Sequence, residues 1–169
     1  MKRMAIAAGV LTACALALAG VAAADGATVE EFPVSFELSW QTCPNLPQGT
    51  TITGIGTETS ITNARTDRNG VTTVMNTTHA SGTATDESLN TYVFNYSNSF
   101  RVTDSGPGTV FTGTMTDSFS LAGPGPAKLH NGFVADITTD LATFFTFDER
   151  SSRGDPLDFA TGSSVCDPL

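Results

Sequence analysis

The sequence predicts one all-β domain, a single antiparallel up-and-down β-barrel of about seven or eight strands, with a two-sheet β-sandwich as the alternative. Three observations carry this. Several long runs alternate apolar and polar residues with period two, the pattern of a half-buried strand. Thr is abundant, at 26 of the residues after position 24, and Thr, Val, Ile and Phe dominate the periodic runs, as suits a pleated surface. Short Gly-, Asn- and Pro-rich punctuation separates the runs at hairpin spacing.

The elements follow in order. In the first run Phe32, Val34, Phe36, Leu38 and Trp40 share a face, opposite Glu37 and Ser39, which predicts a strand over 32–41. Strands over 51–64 and 71–83 flank Asp67-Arg68-Asn69-Gly70. Asn-Gly there is a strong hairpin signal, because the turn needs positive φ. Asp86 to Asn90 forms the next turn and leads to a strand over 91–103, where Tyr92, Phe94, Tyr96, Asn98, Phe100 and Val102 share one face. After Asp104-Ser105-Gly106-Pro107-Gly108 a strand over 109–121 aligns Phe111, Met115, Asp117, Phe119 and Leu121. The Gly-Pro-Gly-Pro loop before Lys128 suits neither a helix nor a central strand, and strands over 129–138 and 141–149 follow. Helical spacing also fits residues 137–148, but their Thr and Phe content favours a strand. A short strand is expected near 157–161. Closure into a barrel would remove the exposed edges that such long strands otherwise present.

The N-terminus has its own character. Lys2 and Arg3 precede an uncharged apolar stretch over residues 4–23, and Ala22-Ala23-Ala24 follows. Charge, apolar core and small residues in that order are the pattern of a secretory signal peptide cleaved near Ala24. Residues 1–24 therefore read as signal peptide, 25–31 as an N-terminal segment and 32–169 as the barrel domain. A membrane anchor is one alternative, since about 20 apolar residues span a bilayer. Lipidation at Cys14 is another, because Leu11-Thr12-Ala13-Cys14 resembles a bacterial lipobox. Cleavage at Ala24 leaves a secreted, extracytoplasmic chain with no transmembrane segment.

The net charge of the whole chain is −9, and loss of Lys2 and Arg3 takes it to −11. The acids are mostly spaced singly and read as a solvated surface. So acidic a chain argues against nucleic acid, whose phosphates are neutralised by Lys and Arg, and against anionic membrane surfaces. The sequence specifies no oligomeric state.

Cleavage also removes Cys14, leaving Cys43 and Cys166 as an even pair. In an oxidising compartment two such cysteines are expected to form a disulfide. A bridge closing so long a loop is worth about 4 kcal/mol in the chain-entropy model. Two cysteines without a neighbouring His do not complete a tetrahedral metal shell. Met75 and His79 share a strand face but lie about 13 Å apart along the strand. Neither a metal nor a cofactor is expected.

The segments Gly82-Thr83-Ala84-Thr85-Asp86, Tyr92-Val93-Phe94-Asn95-Tyr96-Ser97-Asn98, Lys128-Leu129-His130-Asn131-Gly132-Phe133 and Arg153-Gly154-Asp155-Pro156-Leu157-Asp158-Phe159 resemble a group of small secreted actinobacterial proteins with no assigned activity. The resemblance spans most of the chain after residue 24 and implies a bacterial source, with no catalytic residue attached. At fold level the layout is similar to calycin-like barrels and to the barrel of dirigent proteins and allene oxide cyclases.

Two residues are candidates for chemistry. Asp117 lies between Met115 and Phe119 on an apolar strand face, where lost solvation would tune a carboxyl for acid or base work. Arg101 is its possible ion-pair partner. His130 opens a strand beside a Gly-Pro loop, at an expected barrel rim. Trp40, Tyr92, Phe94, Tyr96, Phe100 and Phe119 are the aromatic set that would line a ligand cavity, or else pack as core. No Gly-x-Ser-x-Gly elbow and no phosphate-cradling Gly loop occurs.

Three functional readings follow. The first is a non-enzymatic exported barrel that binds a small apolar molecule or a cell-envelope partner. The second is a barrel enzyme of isomerase or cyclase type, with Asp117 or His130 in the lumen. The third is a structural or interaction protein with a filled barrel.

Overall fold

A computed structural model describes residues 26–104, 110–141, 145–155, 157–158, 163–164 and 166. The signal segment, its cleavage point near Ala24 and Cys14 lie outside the described residues. Seven strands, β1 (Gly26–Ser39), β2 (Thr51–Thr66), β3 (Thr72–Asp86), β4 (Thr91–Asp104), β5 (Phe111–Ala122), β6 (Leu129–Thr139) and β7 (Phe145–Arg153), form one antiparallel sheet in strict sequence order. A small ladder pairs β8 (Leu157–Asp158) with β9 (Ser163–Ser164). The all-β, up-and-down reading therefore holds.

The boundaries shift most at the two edge strands, and β3 also runs on to Asp86. β1 begins at Gly26, so the segment assigned to 25–31 belongs to the sheet and pairs with β2 as far back as Gly26 opposite Ala64. β7 begins at Phe145, not at Leu141, which takes a left-handed conformation (φ 64°) and donates its N–H to Thr139 Oγ1.

Turn chemistry sets the hairpins. Asp67 Oδ1 accepts the N–H groups of Asn69 and Val71, while Gly70 supplies the positive φ that a β-carbon would strain. At the next turn Asp86 Oδ1 accepts from the backbone of Ser88 and Asn90, and Oδ2 from the Asn90 amide and the Tyr92 hydroxyl. A bulge at Val134/Ala135 interrupts the β6–β7 register. Beside it Arg150 grips Asp136 through two guanidinium nitrogens.

The sheet curls strongly. Neighbouring strands lie about 4.8 Å apart, so β1 and β5 in a flat sheet would be separated by roughly 19 Å. Yet Phe36 on β1 meets Phe119 on β5 at 6.0 Å between ring centres, and Phe94 on β4 at 4.9 Å, both edge to face. Curvature brings the first strand over the fifth. No ladder joins β1 to β7 among the described residues, so the barrel is open at that seam and not closed by hydrogen bonds.

Glycines make room for the rings. A β-carbon on Gly54 would stand 2.2 Å from the Phe36 ring. Gly56 and Gly82 face each other across β2 and β3 under Phe94, where a β-carbon would strike both ring and backbone.

Two apolar clusters fill the concave side. One holds Phe36, Leu38, Ile52, Tyr92, Phe94, Tyr96, Phe119 and Leu121, and is sealed by Cys43 and Leu46 from the loop after β1 together with Ala127 and Cys166. The other holds Val74, Phe100, Val102, Met115, Phe133 and Ile137. Cys43 and Cys166 are joined by a disulfide, with 5.0 Å between their Cα atoms, which staples the C-terminal segment to this end.

Candidate functional site

The aromatic set resolves into core. Tyr92 and Phe94 are fully buried, Tyr96 and Phe119 nearly so, and Trp40 packs half-buried against the same cluster. Phe100 belongs to the second cluster. Within each cluster these side chains pack among the buried core residues.

Between the two clusters the inner face turns polar. Thr62, Asn76, Asn98 and Asp117 interrupt the apolar alternation of β2 to β5. Asn76 donates to Ser60 Oγ at 3.0 Å and Thr62 Oγ1 at 2.9 Å, and Thr78 donates to Asn76 Oδ1. Asp117 is buried at 5 % exposure. Its Oδ2 accepts from the Tyr96 hydroxyl at 2.9 Å and the Asn98 amide at 2.8 Å. Glu58 is half-buried on the same face, and desolvation raises its pKa above the ordinary carboxylate value.

Asp117 and His130 do not share a site. Asp117 points inward, whereas His130 is exposed on the outer face of β6. Arg101 is exposed and sits in register with Thr114 on the outer face, so it does not pair with Asp117. His130 Nε2 lies 2.6 Å from Arg153 Nη1. A guanidinium only donates, so Nε2 is the acceptor of this contact.

The outer face carries a groove of about 430 Å³ crossing β2 to β6. Two neighbouring cross-strand rows line it. Thr59, His79, Ser97 and Ser118 form one, and Thr57, Ser81, Asn95, Ser120 and His130 the other. Short hydroxyl side chains leave the trough, and both histidines of the chain border it. None of its lining residues is acidic, although the chain has 17 Asp and Glu. In the sequence these residues show only as the polar half of each alternation; their assembly needs the register of five strands.

The remaining polar clusters are structural. Hydrogen bonds, that from the Asn90 side chain foremost, hold the Asp86 carboxyl below its ordinary pKa, while burial and the bond to Asp86 push the Tyr92 hydroxyl up. Asp155, its pKa raised by burial, accepts from the Asn131 amide beside the disulfide. Its carboxylate and the sulfurs of Cys43 and Cys166 lie within 4.8 Å of one another. The disulfide consumes both thiolates, which leaves no metal-binding set there. Among the described residues no helix is long and apolar enough to cross a membrane.

Fold and groove together define an open up-and-down β-barrel whose inner side holds two apolar clusters with a polar row between them and whose outer face carries a polar trough. No protein family, curated protein or solved structure matches the chain.

Proposed function

We propose that this chain is an exported binding module that holds a hydroxyl-rich component of the cell envelope, a glycan in its chemistry, in the outer groove. The groove is the observation that carries the reading. Its size falls in the range of about 300–1,000 Å³ typical of ligand sites. Hydroxyl, amide and imidazole groups at strand spacing offer paired donors and acceptors to a polyhydroxylated ligand, and no carboxylate in the lining opposes an acidic one. A polar ligand is favoured over an apolar one because the apolar rings that would line a lumen pack on each other.

The N-terminal order of charge, apolar stretch and small residues, which reads as a signal peptide ending near Ala24, supports the same reading. The Cys43–Cys166 bridge suits an oxidising compartment. The test is co-sedimentation of the purified protein with isolated bacterial cell-wall polysaccharide. Ser118→Trp, which fills the trough from an exposed position, is expected to abolish binding while leaving the melting temperature unchanged. Equal retention of both proteins, or no retention of either, would remove the reading.

A further inference from the structure

The inner polar residues are not scattered. Glu30 of β1 stands opposite Ser60 of β2, Ser60 opposite Thr78 of β3, Thr78 opposite Asn98 of β4, and Asn98 opposite Asp117 of β5. One continuous cross-strand row thus runs over five strands between the two apolar clusters. Its first four members are half-buried and its last is buried. Solvent therefore reaches into the row from the β1 side, where residues 26–33 are exposed on both faces apart from Glu30.

The row ends on an unpaired acceptor. Asp117 Oδ2 takes two donors, but Oδ1 is buried and has no hydrogen-bond partner, alone in this among the side chains of the described residues. An orphaned buried acceptor is costly, the more so when charged, and one in a native protein calls for a partner such as a ligand, ion or water. Among the described residues no Lys or Arg is paired with Asp117: Arg65, Arg68 and Lys128 are exposed. Arg101 is on the outer face, Arg150 holds Asp136 and Arg153 holds His130.

We propose that this row is a binding site for a small organic ammonium ion, entering past Glu30 and donating an N–H to Asp117 Oδ1. Several features select that class. Glu30 and Glu58 give the entrance negative charge, which draws in cations. Phe133 stands directly opposite Asp117 on β6, and Tyr96 and Phe119 are its neighbours on the same inner face, so three aromatic residues border the position, a setting that favours a cation. A guanidinium would need both oxygens for its fork, and Oδ2 is already committed. Asp117 belongs to no cluster of three metal-type ligands among the described residues, which disfavours a divalent ion.

The site is separate from the outer groove, and its test uses different probes. Calorimetric titration of the purified protein with n-butylammonium chloride is expected to give saturable binding, and titration with the neutral isostere n-butanol none. Asp117→Asn should weaken the ammonium about tenfold or more, the loss of one charge-assisted hydrogen bond. Tyr96→Phe keeps the ring and should retain binding, since its hydroxyl serves Oδ2. A measurement on the unmodified protein guards against misfolded variants: the 13C resonance of the Asp117 carboxylate should shift with butylammonium and not with butanol. Equal response to both probes, an unaffected Asp117→Asn protein, or an unmoved carboxylate resonance would overturn the proposal. The last result would leave Oδ1 to a bound water.

Discussion

Phe36 and Phe119 meet edge to face at 6.0 Å, although β2, β3 and β4 lie between their strands in the sheet. That contact measures the curl of the whole sheet. It exists because Gly54 has no side chain where the Phe36 ring lies.

Phe36→Ala should therefore cost about 3–5 kcal/mol, the range for truncating a buried aromatic. Gly54→Ala should also destabilise, because its β-carbon enters the space of the ring. The two are expected to be strongly non-additive: in the Phe36→Ala background the added methyl enters vacated space and its penalty falls away. Urea melts of the four proteins check this, and simple additivity would show that the ring does not rest on Gly54.

Replacing Cys43 and Cys166 together by Ser should lower stability by about 2–4 kcal/mol, through the released entropy of the unfolded chain. Because both sulfurs are buried at the sealed end of the barrel, the change should also expose the C-terminal segment. Limited proteolysis would then clip it before the sheet unfolds.

Asp86 makes stability fall in acid. Its folded pKa is depressed below the ordinary 3.8, so its contribution is full above that value and is lost as pH falls through the lower folded value. The Asp86→Asn protein should lack this portion of the acid transition. Its stability, measured by denaturant melts between pH 7 and pH 2, should converge on that of the parent at the acid end.

Glu58 acts in the opposite sense. Burial raises its pKa above 4.5, so both folded and unfolded states are protonated well below that value and no penalty arises. As pH rises through the raised folded value, folding must bury a charge and stability is lost. Glu58→Gln should be more stable than the parent at pH 7, with the difference vanishing in acid. An equal difference at every pH would assign the effect to packing instead.

Much of the architecture is legible in the sequence because it is local. Asn69-Gly70 marks a turn through the positive φ that Gly supplies, and the alternation around Phe94 and Phe119 marks the buried face of β4 and β5. The start of β1 is not legible: Gly26, Thr28 and Glu30 take the inward positions there, and their polarity conceals a strand whose inner side stays wet. Asp117 stands out on its strand as a carboxylate among Phe, Met and Leu. Its partners do not, since Tyr96 and Asn98 reach it only across the β4–β5 ladder. His130 also stands out, but nothing local tells whether it looks into the barrel or away from it.

By itself the sequence determined an acidic all-β chain, the order and turns of its strands, and the even cysteine pair. Each follows from neighbouring residues or from composition. The tertiary structure decided that the sheet curls without closing its β1–β7 seam and that the aromatic set packs as core. It also decided that polar residues from five strands align as an inner row while those of the opposite face build a groove. Those outcomes depend on register and curvature, which are sums of contacts between residues far apart in the chain, and no local pattern carries that sum.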